Sequence, residues 1–351
     1  MQSAADIGAV CARGGATIGG AASTEAASSA RVFAVACTCV LVAAAALAGW
    51  APFGLSVATV FLFAGPHNWS ELRYFITRLP VRLGRSRIFF GTAAAGVVAL
   101  TASYAALSFA PGAGAWGEDG WYFSTAMWNS AAVAWMVALV MLRGRQTPRR
   151  DWGWALPVGC ALVGLNWLAP QVFALALVYL HPLVALWFLD RQLRRTRRSW
   201  SRAYRVCLAL LPLALGVLWW RLAASASLPE DGALALRIVR HAGAGIVPGI
   251  SSHLLVSTHV FLETLHYGVW LVGVPVVAGA GLAPWRFRSI PLVRHREGWP
   301  RLIGALLVAG AVVVVVLWVC FLADYATTRD VYFTVAMAHV LAEVPFLLRM
   351  V

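Results

Sequence analysis

Three pairs in the chain share one form, His-x-x-x-Glu: His67 with Glu71, His259 with Glu263, and His339 with Glu343. Each residue of an α-helix turns about 100°, so four positions bring the second side chain to within about 40° of the first. Each His therefore shares a helix face with its Glu. His266 extends the second pair into a stripe, and Glu263-x-x-His266 has the spacing that di-metal carboxylate bundles use. A further histidine, His181, sits in an apolar run before Pro182. Neutral imidazole buries no charge and suits Fe, Cu and Zn. A carboxylate one turn away can ligate, or can hold a ring in one tautomer by accepting its N–H. An all-His centre with outer carboxylates leaves open positions on Fe(II), as oxygen chemistry requires.

The stretches that carry these residues are membrane-like. Of 351 residues 61% are hydrophobic and 12% charged, and the mean hydropathy is +0.75. Soluble domains are nearer 45–50% apolar and about 25% charged. That excludes a water-soluble globular enzyme, a disordered chain and a disulfide scaffold. The composition predicts an all-α, polytopic integral membrane bundle of about ten spans. The spans are 31–50, 54–78, 88–110, 121–142, 153–169, 171–189, 206–223, 252–282, 302–323 and 331–348. Residues 1–30, rich in Ala, Gly and Ser, read as a disordered tail ahead of one transmembrane domain, 31–351.

The charge pattern orients the spans. All 28 basic residues are Arg, against 14 acids, for a net charge of +14. Arginines cluster after even-numbered spans (Arg78, Arg82, Arg85 and Arg87; Arg143, Arg145, Arg149 and Arg150; Arg191 to Arg202; Arg286 to Arg301), while Glu118, Asp119, Glu230, Asp231, Asp324 and Asp330 follow odd ones. The alternation places both termini in the cytoplasm, with the protein multi-pass in the cell inner (plasma) membrane, and its surface partner is lipid rather than nucleic acid. Arg221, Arg237, Arg240 and Arg329 depart from it. Trp50, Trp69, Trp121, Trp152, Trp154 and Trp285 near span ends fit an interfacial belt. Residues 224–251 read as an interfacial helix or a re-entrant lid. The six cysteines are scattered without Cys-x-x-Cys, which predicts neither a disulfide framework nor a thiolate metal site.

Ionisable groups are costly in a bilayer, by about 2.5 kcal/mol or more for a central charge. Counted from the predicted cytoplasmic ends, His67, His181 and His339 lie about 12–17 Å deep and His266 about 24 Å, compatible with one site if the eighth span tilts or bends at Pro275. His259 lies about 10 Å above His266, and both reach one metal only if the helix is distorted. His241, His253 and His295 fall in loops or at a span end and read as non-functional. A shared metal site, a proton or ion pathway and polar packing all remain open, and with them an enzyme, a proton-coupled carrier or a non-catalytic subunit.

At these residues the chain resembles the Brp/Blh family of membrane β-carotene 15,15′-dioxygenases. Pro66-His67-Asn68-Trp69-Ser70-Glu71 is similar to the family's early Pro-His-x-x-x-Asp motif, with Glu for Asp. His339 to Glu343 is similar to the late motif, with Ala338 for Pro, and the stretch ending His266-Tyr267 to the paired-His motif. His181 matches an earlier family histidine. The resemblance implies non-haem Fe(II) on His67, His181, His266 and His339, with His259 as a further candidate ligand. Glu71, Glu263 and Glu343 would orient them. It also implies a hydrophobic, carotenoid-like polyene as substrate, cleaved by O2 to aldehydes. Trp69, Trp187, Tyr267 and Trp270 are candidates to line an apolar tunnel, or equally to serve in packing.

Overall fold

A computed structural model of the chain describes residues 5–80, 84–109, 117–147, 151–278, 287–295 and 298–350, with side chains from Ser28 onward except at 85, 118, 278 and 289. Arg82, Arg149, Arg150, Trp285, Arg286 and Arg296 lie outside the described residues. Among those described, the regular elements are helical and none is a strand. In chain order they are α1 (Ala5–Trp50), α2 (Pro52–Arg78), α3 (Arg87–Phe109), α4 (Gly117–Gln146), α5 (Ala155–Leu168), α6 (Pro170–Thr196) and α7 (Arg198–Leu222). There follow α8 (Ala233–His241), α9 (Ser252–Gly268), a π-helical turn (Val269–Gly273), α10 (Val274–Ala278), α11 (Pro291–Arg294), α12 (Pro300–Ala323) and α13 (Tyr325–Met350).

Eight helical segments are long and apolar enough to cross a membrane, among them Ser28–Trp50 within α1 and Ser252–Val277 across α9 and the turn after it. Two predicted spans differ. The polar run around His67 keeps α2 off that list despite its 27 residues. At 14 residues, α5 reaches only about 21 Å, short of a core about 30 Å thick. α1 also extends back to Ala5, into the stretch that the sequence reads as a tail. Alanine, the strongest helix former, favours that continuation of the backbone.

Helix ends confirm that the Arg-rich ends of α2, α4, α6 and α13 lie together. Arg349 donates to the Arg78 carbonyl (3.2 Å), Arg143 to that of Leu348 (3.2 Å) and Arg195 to that of Met350 (3.3 Å). Guanidinium groups there satisfy carbonyls that a helix C-terminus leaves without partners. The polar face of α8 is held at the opposite end by Arg237, whose Nη1 lies 2.6 Å from Asp330. Its Ile238 and Val239 are buried, and it packs on α2, α9 and α13. Residues 224–251 thus contribute a short amphipathic helix against the bundle end.

The centre of the bundle is α9. It packs against α1, α2, α6 and α7, and nearly every side chain from Ser252 to Tyr267 is buried. By contrast α12 exposes Val312, Val313, Val315, Val316 and Val319, an apolar face suited to acyl chains. Small residues let helices close up elsewhere. Trp135 of α4 lies over Gly96 of α3, its indole N–H donating to the Thr92 carbonyl (3.0 Å). A methyl group on Gly96 would run into that ring, whereas Gly91 on the same helix faces open space. Gly96→Ala should therefore destabilise the protein by about 1–3 kcal/mol, with Gly91→Ala near neutral, as read by thermal unfolding in detergent. Equal transitions for the two variants would contradict this packing.

Candidate metal centre

The site forms where α2, α6 and α13 meet α9. Pro66 interrupts the α2 hydrogen-bond ladder from within. One residue later, His67 turns its Nδ1 back to the Phe63 carbonyl at 3.1 Å. With Nδ1–H donated there, Nε2 keeps its lone pair. That nitrogen is buried and has no protein partner. On α13, both ring nitrogens of His339 are buried without a partner, as are both of His266 on α9, while the Glu71 carboxyl of α2 is buried beside that of Glu343. His67, Glu71 and His266 are each no more than 2% exposed.

These rings face one another. Centroids are 5.2 Å apart for His67–His266, 5.2 Å for His67–His339 and 6.3 Å for His266–His339. His181 of α6 joins them at 4.7 Å from His266 and 5.2 Å from His339. One ligand atom each from His67, Glu71, His266 and His339 lies within 4.8 Å of the others, a buried group that could hold a metal ion. Two ligands about 2.1 Å from an ion stand at most about 4.2 Å apart, so this group needs to contract by roughly half an ångström to close on one. Bare buried donors are a strong fit criterion, because an unsatisfied polar group costs about 1–3 kcal/mol.

Four predicted histidines, from α2, α6, α9 and α13, are thus brought together, and His259 is not. α9 runs as regular helix through Gly268, so the seven-residue separation keeps His259 about 10 Å from the level of His266. Its ring sits instead 5.0 Å from His241 and 5.9 Å from Tyr179. His241, set aside in the sequence reading as a loop residue, is the last residue of α8. The helix changes form only after His266, in the π turn Val269–Gly273. Pro275 lacks the N–H that Leu271 would receive in an α-helix, and the wider turn lies just ahead of it. The Ser70 hydroxyl donates to the Trp270 carbonyl in that turn (2.9 Å), tying α2 to α9 beside the site.

The carboxylates also take unexpected partners. Glu343 holds His181, with Oε2 at 3.3 Å from Nδ1, rather than His339 of its own motif. Glu263 accepts from the Tyr267 hydroxyl (2.7 Å) rather than from a histidine. Glu71, expected to orient a ring, belongs to the compact donor set itself. Of the candidate tunnel residues, Tyr267 lies 4.5 Å from His67 with the rings tilted by 44°, and Trp270 is fully buried among Tyr74, Phe75 and Phe188. Trp69 donates to the Leu307 carbonyl of α12 (2.9 Å), and Trp187 lies under Arg191. Those two serve in packing.

No protein-family profile, curated protein or solved structure matches the chain. Fold and site together define an all-helical multi-pass membrane protein with a buried His/Glu group able to hold a metal ion. The geometry ranks the ligands. Metal content of purified protein should fall to background in the His67→Ala/His339→Ala double variant and stay at the wild-type level in His259→Ala. Glu343→Gln, which disturbs the group that holds His181 and lies beside Glu71, should weaken affinity by about 10–100-fold. Full metal in the double variant would rule out this donor set.

Proposed function

We propose that the protein is a membrane-embedded non-haem iron oxygenase that acts on a lipid-phase, carotenoid-like polyene. The observation that carries this reading is the meeting of four imidazoles from four helices, with their inward nitrogens buried and unpartnered. Nitrogen-rich sites with few carboxylates suit Fe, Cu and Zn over Mg or Ca. The resemblance of Pro66-His67 to Glu71, and of His339 to Glu343, to the Brp/Blh motifs favours iron among the three. When bound, iron would supply the activation of O2.

The chain's own residues do the positioning. The Phe63 carbonyl fixes the His67 tautomer, and Glu343 does the same for His181. Both rings are thereby pre-set with Nε2 as the donor atom, as second-shell partners of metal-bound histidines commonly arrange. The aromatic rings of Tyr267 and Trp270 and the enclosing helices keep water from the cluster. A lipid-soluble substrate accounts for a site built at the heart of an apolar bundle.

Purified protein should carry about one iron per chain. In a β-carotene-producing host its expression should bleach the pigment, and the His67→Ala/His339→Ala variant should leave the colour unchanged. Persistent pigment with iron present would remove the carotenoid substrate and leave the metal centre standing. A protein purified with zinc or no metal would remove the oxygenase.

A further inference from the structure

A second polar chamber lies towards the α8 end of the bundle, apart from the metal cluster. Arg329, in the second turn of α13, is 2% exposed. Its guanidinium carbon lies 4.6 Å over the Phe333 ring. His241 of α8 lies 4.4 Å from the same ring and 5.0 Å from His259 of α9. Arg329 and His241 thus both lie against Phe333, and His259 sits against His241. Ten residues of α13 separate Arg329 from His339, about 15 Å of helix, so the chamber is distinct from the cluster.

The cation lacks a direct counter-charge. Arg329 Nε is buried without a partner. Asp330 is engaged with Arg237 at 2.6 Å, and Glu263, the closest acid to act on Arg329, accepts from the Tyr267 hydroxyl at 2.7 Å through one oxygen and leaves the other without a partner. Among the described residues, no ion pair within 4.0 Å joins Arg329 to either. Buried charges are ordinarily paired, because leaving one unpaired is expensive. Burial, with His259 and Arg329 nearby, holds the His241 imidazolium well below the ordinary histidine range. His241 is therefore a neutral ring with an N–H to give. A guanidinium at the same place repels metal cations, so paired imidazoles here do not make a second metal site. On the α8 side His241 is half-buried and the Arg237–Asp330 pair is partly exposed.

We propose that this chamber binds an oxyanion, a carboxylate or phosphate group, on Arg329 and the flanking imidazoles of His241 and His259. Planar guanidinium suits either group through paired N–H donors. The anion comes free from the aqueous side or as the head of an amphiphile.

The test uses the full chain in a neutral detergent, dialysed extensively into an oxyanion-free buffer, with calorimetric titration of inorganic phosphate, octanoate and uncharged octanol. Binding of phosphate identifies a free anion. Binding of octanoate alone identifies an amphiphile head, and octanol should bind at least tenfold more weakly than either. Arg329→Gln and, independently, His241→Gln should each weaken the anion at least tenfold. If Arg329→Gln fails to fold, His241→Gln, which leaves the cation in place, decides with its thermal transition as the control. No heat with either anion, or undiminished binding in correctly folded His241→Gln, overturns the proposal. Neither outcome depends on metal content or on the oxygenase reading.

Discussion

Ring nitrogens stripped of water at the centre of an apolar bundle set the terms for the rest of the structure. Lipid supplies no hydrogen-bond partner, so polar groups there must be satisfied within the protein or by what it binds. Some are satisfied internally. Asn129 and Asn166 bond to each other and to helix carbonyls, and the Trp135 indole finds the Thr92 carbonyl. The bare nitrogens of His67, His266 and His339 instead converge on one another from three helices. Polar packing predicts that such groups bond to one another; an ion-binding role predicts that they converge with donors free.

The architecture follows from the need to hold these groups still. α9 sits innermost, packed against α1, α2, α6 and α7, with His266 turned towards His339 of α13. Its π turn and the Ser70–Trp270 bond fix its rotation just past His266. Arginines at the far helix ends clamp the C-termini of α2, α4, α6 and α13 to one another. Rotation of any of these helices by one residue would carry its histidine out of the cluster.

Much of this was legible before any coordinates. Composition gave the helical membrane class, and i,i+4 spacing singled out His67, Glu71, His339 and Glu343. Periodicity reports which face a residue occupies but not which neighbour it meets. Hence Glu343 was matched with His339, although its partner His181 lies on another helix. Height is legible from the helical rise, which puts His259 about 10 Å above His266, and the regular α9 leaves it there, beside His241. His241 and Arg329 were missed for a different reason. The connection before α9 carries Gly243, Gly245 and Gly249 at positive φ, and its turns hide the approach of α8 to α13. The signal that could have flagged Arg329 was its departure from the Arg distribution, since an arginine at the wrong end of a span needs a reason to be there.

X-ray absorption at the metal edge of the purified chain tests the central claim most directly. The account predicts a first-row metal in a nitrogen/oxygen shell near about 2.1 Å, with the outer-shell scattering of at least three imidazoles. A metal-free protein, or a shell without imidazole scattering, would contradict it.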